Sequence, residues 1–119
     1  MNVNNFDLLY RERKTAAGIT GSTLTIQAAR VDPGRIRVIT HVSIENKTSA
    51  YTKCRLSVYN GATDFEIDEA IFPDEDELLI HPKDIVLGEG DILRARLTGT
   101  TTGDIVEMHI VGWEMKRER

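Results

Sequence analysis

The sequence predicts an all-β fold, an antiparallel β-sandwich of the jelly-roll or immunoglobulin-like kind with about seven or eight strands. Three observations predict this class. Apolar and polar residues alternate with a period of two along most segments, as they do along strands that have one buried face. Turn-forming residues separate the segments at short intervals, and no window of about eleven residues or more shows apolar residues at helical spacing.

The first half of the chain contains three predicted strands after residues 4–14, which form a first strand or an arm. Residues 23–28 alternate as a strand and end at the turn 32–34, which contains proline and glycine. The strongest alternation runs along Arg35–Asn46. Its predicted core face consists of apolar or small side chains at every second position: Ile36, Val38, Thr40, Val42 and Ile44. Residues 51–59 form the next strand, which we expect to lie beside it, with Cys54 in the core.

The second half continues with short strands that are separated by turns. Asn60 and Gly61 predict a turn before the short strand around residues 65–67, and Pro82 interrupts the segment after residues 78–80. The glycine-rich turn 88–91 introduces residues 92–97 and 105–113, which we predict to pair as a hairpin across a Thr/Gly loop. Both faces of the last strand carry apolar residues, so we expect one face to pack against another copy of the chain.

Length and composition predict one globular domain, residues 1–119, with residues 1–14 and 114–119 as candidate arms. Hydrophobic residues make up 40% of the chain, which is enough for a core, and a single cysteine allows no internal disulfide. The sequence shows no signal-peptide pattern and no apolar run of membrane-spanning length. We therefore expect synthesis in the cytoplasm and no membrane partner.

Charge is distributed unevenly along the sequence. Residues 1–60 contain nine Lys or Arg against four Asp or Glu, whereas residues 61–119 contain six against fifteen. Folding either keeps these halves apart as two poles or mixes them. A basic face for nucleic acid could form from Arg35, Arg37, Lys53 and Arg55, but the chain is acidic overall. We interpret these residues as solvated charges and predict no nucleic-acid partner.

The sequence offers little that indicates catalysis. His41, His81 and His109 are far apart along the chain, and no zinc, EF-hand, phosphate-loop or nucleophile-elbow motif is present. The acidic run 74–77 is interpreted as a solvated loop, with weak binding of a divalent cation as the alternative. We therefore predict a protein that is not an enzyme and has no catalytic residues, no cofactor and no bound metal.

Two segments resemble small virion proteins of tailed bacteriophages. The first is RIRVITHVSIENKTSAYTKCRLSVYNG, residues 35–61, in which two strands carry an inward Val/Ile series. The second is LGEGDILRARLTGTTTGDIVEMHIVGWE, residues 87–114, with its GEGD turn, Thr/Gly loop and final strand that ends at an aromatic residue. Among these proteins, the chain is most similar to the decoration, or cement, proteins that bind the outside of the capsid.

This resemblance implies a β-sandwich subunit of the virion that binds the major capsid protein or another virion protein on the capsid surface. It also implies a homo-oligomer, a dimer or a trimer, that is made in the host cytoplasm. A tail, neck or baseplate adaptor and a carbohydrate-binding module are the alternatives. The candidate interface residues are aromatic or apolar side chains near the two ends of the chain: Phe6, Leu8, Tyr10, Val111 and Trp113.

Overall fold

The computed structural model describes residues 8–116 and contains nine β-strands in that range. Their bounds in chain order are β1 (Leu8–Ala17), β2 (Leu24–Gln27), β3 (Arg35–Asn46), β4 (Lys53–Tyr59), β5 (Asp64–Ile71), β6 (Leu79–Ile80), β7 (Ile85–Leu87), β8 (Ile92–Thr98) and β9 (Ile105–Lys116). The predicted all-β fold is confirmed. The count exceeds the predicted seven or eight because the segment that contains Pro82 is divided into β6 and β7.

The strands form two antiparallel sheets that pack face to face. The larger sheet has the order β1-β9-β3, with β6 and β7 both along the free edge of β3, and the smaller sheet has the order β2-β8-β4-β5. When β6 and β7 are counted as two parts of one strand, this is the strand order of an eight-stranded jelly roll. Of the two kinds of sandwich that the sequence left open, the structure matches this one.

The core lies between the sheets and consists mainly of branched aliphatic side chains. The fully buried positions include Ile39, Ile44, Leu56, Leu93, Leu97, Met108 and Ile110. Cys54 has no exposed surface, as the sequence predicted, and burial raises the pKa of its thiol to about 12. This thiol is therefore protonated at neutral pH and acts as a small apolar side chain.

Two predictions about strand pairing are wrong. The strands β3 and β4 were expected to be neighbours, but they belong to opposite sheets. The strands β8 and β9 were expected to form a hairpin, and they are also in opposite sheets. In both cases the connecting loop crosses the end of the sandwich instead of turning back within one sheet. The predicted turn Asn60-Gly61 does connect a hairpin, which is formed by β4 and β5.

The predicted core face of β3 is correct only in the second half of the strand. The register with β9 shifts between Ile39 and His41, so Thr40 is an extra residue, a β-bulge. After the bulge, Val42 and Ile44 point to the core, as predicted. Before it, the phase is reversed: Ile39 is buried, and Arg37 is only 4% exposed.

A buried polar network closes one end of the sandwich. Asp104 accepts hydrogen bonds through Oδ2 from Asn46 Nδ2 at 2.9 Å, Ser49 Oγ at 2.8 Å and the Thr101 amide at 2.8 Å. Its carbonyl accepts a hydrogen bond from the Gly18 amide at 2.8 Å. Although burial opposes ionisation, the three hydrogen bonds that its carboxylate accepts hold the pKa of Asp104 below its usual value. The network joins β1, the loop after β3 and the β8–β9 connection.

Candidate interaction surface

The outer face of the larger sheet carries a continuous row of apolar side chains, which we call the apolar row. Leu9 of β1 lies opposite Trp113 of β9, Trp113 lies opposite Val38 of β3, and Val38 lies opposite Val86 of β7. Cross-strand partners share a face, so the row extends about 14 Å across the sheet. Leu9, Trp113 and Val86 are 55%, 42% and 69% exposed. These three exposed apolar side chains are contiguous across the sheet, whereas other exposed apolar residues, such as Phe65, Ile71 and Phe72, lie on or next to β5 of the smaller sheet.

The bulge at Thr40 places Val38 in the apolar row. Without the extra residue, Val38 would share the inward face with Val42, as the simple alternation predicted. The backbone at the bulge also comes very close to β9, where a Cβ on Gly112 would lie 2.0 Å from the carbonyl oxygen of Val38. Thr40 Oγ1 donates a hydrogen bond to the Val111 carbonyl at 3.2 Å, which holds the bulge against β9.

The bulge has a second effect on the inward face, where it buries Arg37. The Arg37 guanidinium is 2.7 Å from Glu114 Oε2, donates to the Ala29 carbonyl at 2.6 Å and lies 3.8 Å from the centroid of the Tyr10 ring. These contacts satisfy the buried charge, so Arg37 belongs to the interior and is not a surface cation. It cannot take part in the basic face considered from the sequence.

A basic cluster lies next to the apolar row on the same outer face. It consists of Arg11 and Arg13 on β1, His109 on β9 and His41 on β3. The two imidazole rings are 5.7 Å apart in an edge-on arrangement. Burial, followed by the charges of Arg13, His41 and Arg11, lowers the pKa of His109. Within residues 8–116, neither arginine forms an ion pair.

The opposite side of this face is apolar and acidic. A depression of about 540 Å³, which Arg13 and His109 help to line, ends at Leu78. Leu78 and Ile80 are 47% and 51% exposed, and the acidic loop 74–77 precedes them. We call this side, residues 74–80, the acidic edge. The larger sheet thus has a basic edge at β1 and an acidic edge at β6.

The predicted interface residues are divided between the two sides of the sheet. Trp113 and Val111 lie on the outer face, as an interface would require. Leu8 and Tyr10 alternate with Leu9 along β1 and therefore belong to the other face of the strand. Tyr10 is half-buried beneath Arg37, and burial raises the pKa of its hydroxyl. Phe6 lies outside the described residues. Leu9 lies beside Trp113 on the outer face, although it was not among the predicted interface residues. The alternation along β1 could have identified it.

The two candidate arms are strand wherever the structure describes them. Residues 8–14 belong to β1, and residues 114–116 belong to β9. These strands pair with each other along ten positions, and the first described residue, Leu8, lies opposite Glu114. The remaining residues of both candidate arms lie outside the described range.

The outer face of the smaller sheet is different, because its arginines are paired with carboxylates within the protein. Arg94 Nε donates to Asp64 Oδ1 at 2.7 Å, which is the main reason why the pKa of Asp64 is lowered. Arg55 is 3.0 Å from Glu66 and 2.7 Å from Glu69. Folding therefore mixes the charges of the two sequence halves on the smaller sheet, although the larger sheet keeps Arg11 and Arg13 at the edge opposite β6. Arg55 lies on the opposite side of the sandwich from β3.

The metal-ligating residue types do not converge in the described part of the chain. No group of three or more His, Cys, Asp or Glu side chains there could hold a metal ion. His41 and His109, which are distant in sequence, do meet on the outer face, whereas His81 Nδ1 lies 2.8 Å from Asp68 on the opposite sheet. Residues 8–116 contain no helix that is long and apolar enough to cross a membrane.

Comparisons with known proteins add no assignment to this geometry. No protein-family model matches the chain, and no curated protein sequence matches it. The apolar row, the basic cluster and the jelly-roll order therefore have to be interpreted from the residues themselves.

Proposed function

We propose that this protein is a non-enzymatic structural subunit of a tailed-bacteriophage virion, which binds the outside of the head as a decoration protein and stabilises the shell. Its partners would be the major capsid protein and further copies of itself, and it would be made in the host cytoplasm. The observation that carries the proposal is the apolar row, which exposes Leu9, Trp113 and Val86 together on one face of the larger sheet. Such a patch is typical of a protein-binding surface.

Two further features support a structural role. The fold is a sandwich with a filled aliphatic core, which is a rigid base for contacts between subunits. The resemblance of residues 35–61 and 87–114 to virion proteins covers both β3 and β9, the two strands that contribute the centre of the apolar row. Jelly rolls occur in capsid proteins and in lectins, so the fold alone does not decide between them.

The alternative of a carbohydrate-binding module has less support from this surface. Sugar platforms use several aromatic rings on one concave face. Among the described residues, the exposed aromatic side chains Trp113, Phe65 and Phe72 lie on different parts of the sandwich, since Trp113 is on β9 and the other two are on or just after β5. They form no common platform.

The test is to find the protein in particles of the phage that encodes the sequence. An antibody against the purified protein is applied to purified virions, and gold-labelled second antibody is imaged by electron microscopy. Label distributed over the head supports the proposal. Label confined to the neck or tail supports the adaptor alternative instead, and virions without the protein by mass spectrometry would refute a virion role.

A second experiment examines the surface. Heads from which the protein has been removed are incubated with the wild type, with Trp113→Ser or with Phe65→Ser, and bound protein is measured after pelleting. Phe65 is 55% exposed on β5 and serves as the matched control, since it is an exposed aromatic residue outside the apolar row. Wild-type protein and the control should rebind. Trp113→Ser should rebind less, because it weakens the contacts of the apolar row with the capsid protein or with further copies. Failure of the wild type to rebind correctly matured heads would count against the proposal.

A further inference from the structure

We propose that the outer face of the larger sheet is a twofold interface between two copies of this chain, packed face to face with the symmetry axis parallel to the strands. The inference rests on the proposed function for its biological setting, and it specifies which surface forms the oligomer. Its physical basis is the distribution of apolar and charged side chains across β1, β9, β3, β6 and β7.

The distribution of charge on the outer face favours a second copy of the chain as the partner of this face. It also favours a twofold axis that runs parallel to the strands. Arg11 and Arg13 lie at the β1 edge without an ion pair in the described range, and the loop 74–77 lies at the β6 edge. Rotation about an axis along the strands exchanges these edges but keeps the position along the strands. Arg13 shares a cross-strand row with Ile80, so it comes to lie over Ile80 of the second copy, three residues or about 10 Å along the strand from Glu77. At that offset the long side chains of Arg13 and Glu77 approach each other across the two edges. An axis across the strands would place β1 over β1 and bring like charges together.

The same rotation superimposes the apolar row on itself. The axis passes between β9 and β3, so Trp113 of one copy faces Val38 of the other, and Leu9 faces Val86. Each pair combines a larger side chain with a smaller one, which lets the two sheet faces come together at the usual separation of about 10 Å. Four such contacts form along one line and would remove the most exposed apolar surface of this face from water.

Two symmetry-related pairs of like charges also meet in this arrangement. Glu107 on β9 would face Glu45 on β3 of the second copy, because the two residues are cross-strand partners. Lys47 is 3.1 Å from Glu107 and 3.9 Å from Glu45 within each chain. These glutamates also line the depression, where the two faces are farther apart. The local lysine and the greater separation together limit the repulsion.

The available area is sufficient for a specific dimer. Four adjacent strands cover about 19 Å, and ten residues of β9 cover about 33 Å, which gives roughly 630 Å² on each copy. Together the two copies would bury about 1,250 Å², which is above the approximately 1,000 Å² expected of a biological interface and near its lower end. We therefore expect a dimer that dissociates on dilution.

The first test measures the mass of the wild type, Trp113→Ser and Phe65→Ser in solution by sizing chromatography with light scattering over a wide concentration range. The wild type and Phe65→Ser should reach twice the 13.4 kDa of one chain. Trp113→Ser should require at least about tenfold higher concentration to do so, since aromatic residues at the centre of an interface dominate affinity. Circular dichroism and urea unfolding of each variant establish that it is folded.

A charge exchange tests the orientation. Arg13→Glu and Glu77→Arg, each alone, should weaken the dimer, and the two changes in one chain should restore much of the loss, because both edges are then inverted. A wild type that stays monomeric at every concentration would overturn the inference, and so would a dimer that Trp113→Ser leaves unchanged. Either result leaves the virion proposal standing if the heads still bind the protein. Single charge variants whose losses merely add would refute the proposed axis.

Discussion

Replacement of Gly112 by alanine tests the bulge on which the candidate surface depends. Gly112 lies in β9 opposite Ile39, directly beside the extra residue Thr40. A Cβ at this position would lie 2.0 Å from the Val38 carbonyl oxygen and 3.0 Å from the Ile39 Cα. These neighbours are backbone atoms, so no side chain can rotate away to relieve the contact. The strands β3 and β9 have to separate at the bulge.

The expected cost follows from that separation. An ordinary contact needs about 3.5 Å, so the backbones must move apart by about 1.5 Å at this point. Such a shift weakens roughly two ladder hydrogen bonds, each of which contributes about 1 kcal/mol, and leaves buried polar groups poorly paired. We expect Gly112→Ala to lose about 3 kcal/mol of the free energy of unfolding. The melting temperature should fall by about 10 °C.

The assay is equilibrium urea unfolding followed by far-ultraviolet circular dichroism, at one fixed protein concentration because association would add to stability. Gly88→Ala is the matched control. Its nearest neighbour would be Asp91 Oδ2 at 3.8 Å, an ordinary contact, so this variant should unfold like the wild type. If Gly112→Ala loses less than about 1 kcal/mol, the close approach at the bulge does not constrain the sheet as described.

Three further predictions concern buried and partly buried charges, and all use the same unfolding assay. Asp104→Ala should lower the free energy of unfolding by about 2–4 kcal/mol, because three donors lose their acceptor. The wild type should lose this contribution as the pH falls from about 4 through the lowered pKa of Asp104, and equal acid sensitivity of wild type and variant would refute this. Arg37→Met alone should lower the free energy of unfolding by about 3–5 kcal/mol, because Glu114 loses its partner, and adding Glu114→Leu should recover most of this loss. If the losses of the two single variants simply add in the double variant, Arg37 and Glu114 are not energetically coupled. The pKa of His109 is lowered in the folded state, so the unfolded chain binds a proton first and the free energy of unfolding should decrease as the pH falls below about 6.5. His109→Gln should reduce this decrease, and a variant with the same pH profile as the wild type would refute the prediction.

The positions of the strands could be predicted from the sequence because each strand carries its own alternation. The pattern along Arg35–Asn46 gave a strand with the same bounds as β3, and the turns at Asn60-Gly61 and Pro82 also ended strands where expected. These signals are local, since they depend on the conformational preferences of a few consecutive residues. The two-residue length of β6 was not predictable in the same way, because so short a strand has almost no alternation.

The pairing of the strands could not be predicted, for a different physical reason. Alternation shows that a strand has a buried face, but both sheets of a sandwich bury one face against the same core. The strands β8 and β9 therefore have the pattern of a hairpin whether they pair or face each other. In the folded protein, Asp104 accepts hydrogen bonds from Asn46 and Ser49, and these bonds hold the connecting loop across the end of the sandwich. A lone aspartate in a Thr/Gly loop gave no sign of that role.

The bulge at Thr40 explains why the fold was easier to predict than the surface. One extra residue reverses the phase of the first half of β3, and two consequences follow on opposite faces. Inside, Arg37 enters the sandwich and must be neutralised by Glu114, which lies opposite it on β9. Outside, Val38 joins Trp113 in the apolar row. A uniform strand would have placed Val38 in the core and Arg37 in the middle of the outer face, where its charge would interrupt the apolar row. The proposed self-complementary face therefore depends on the same irregularity that makes the alternation of β3 misleading.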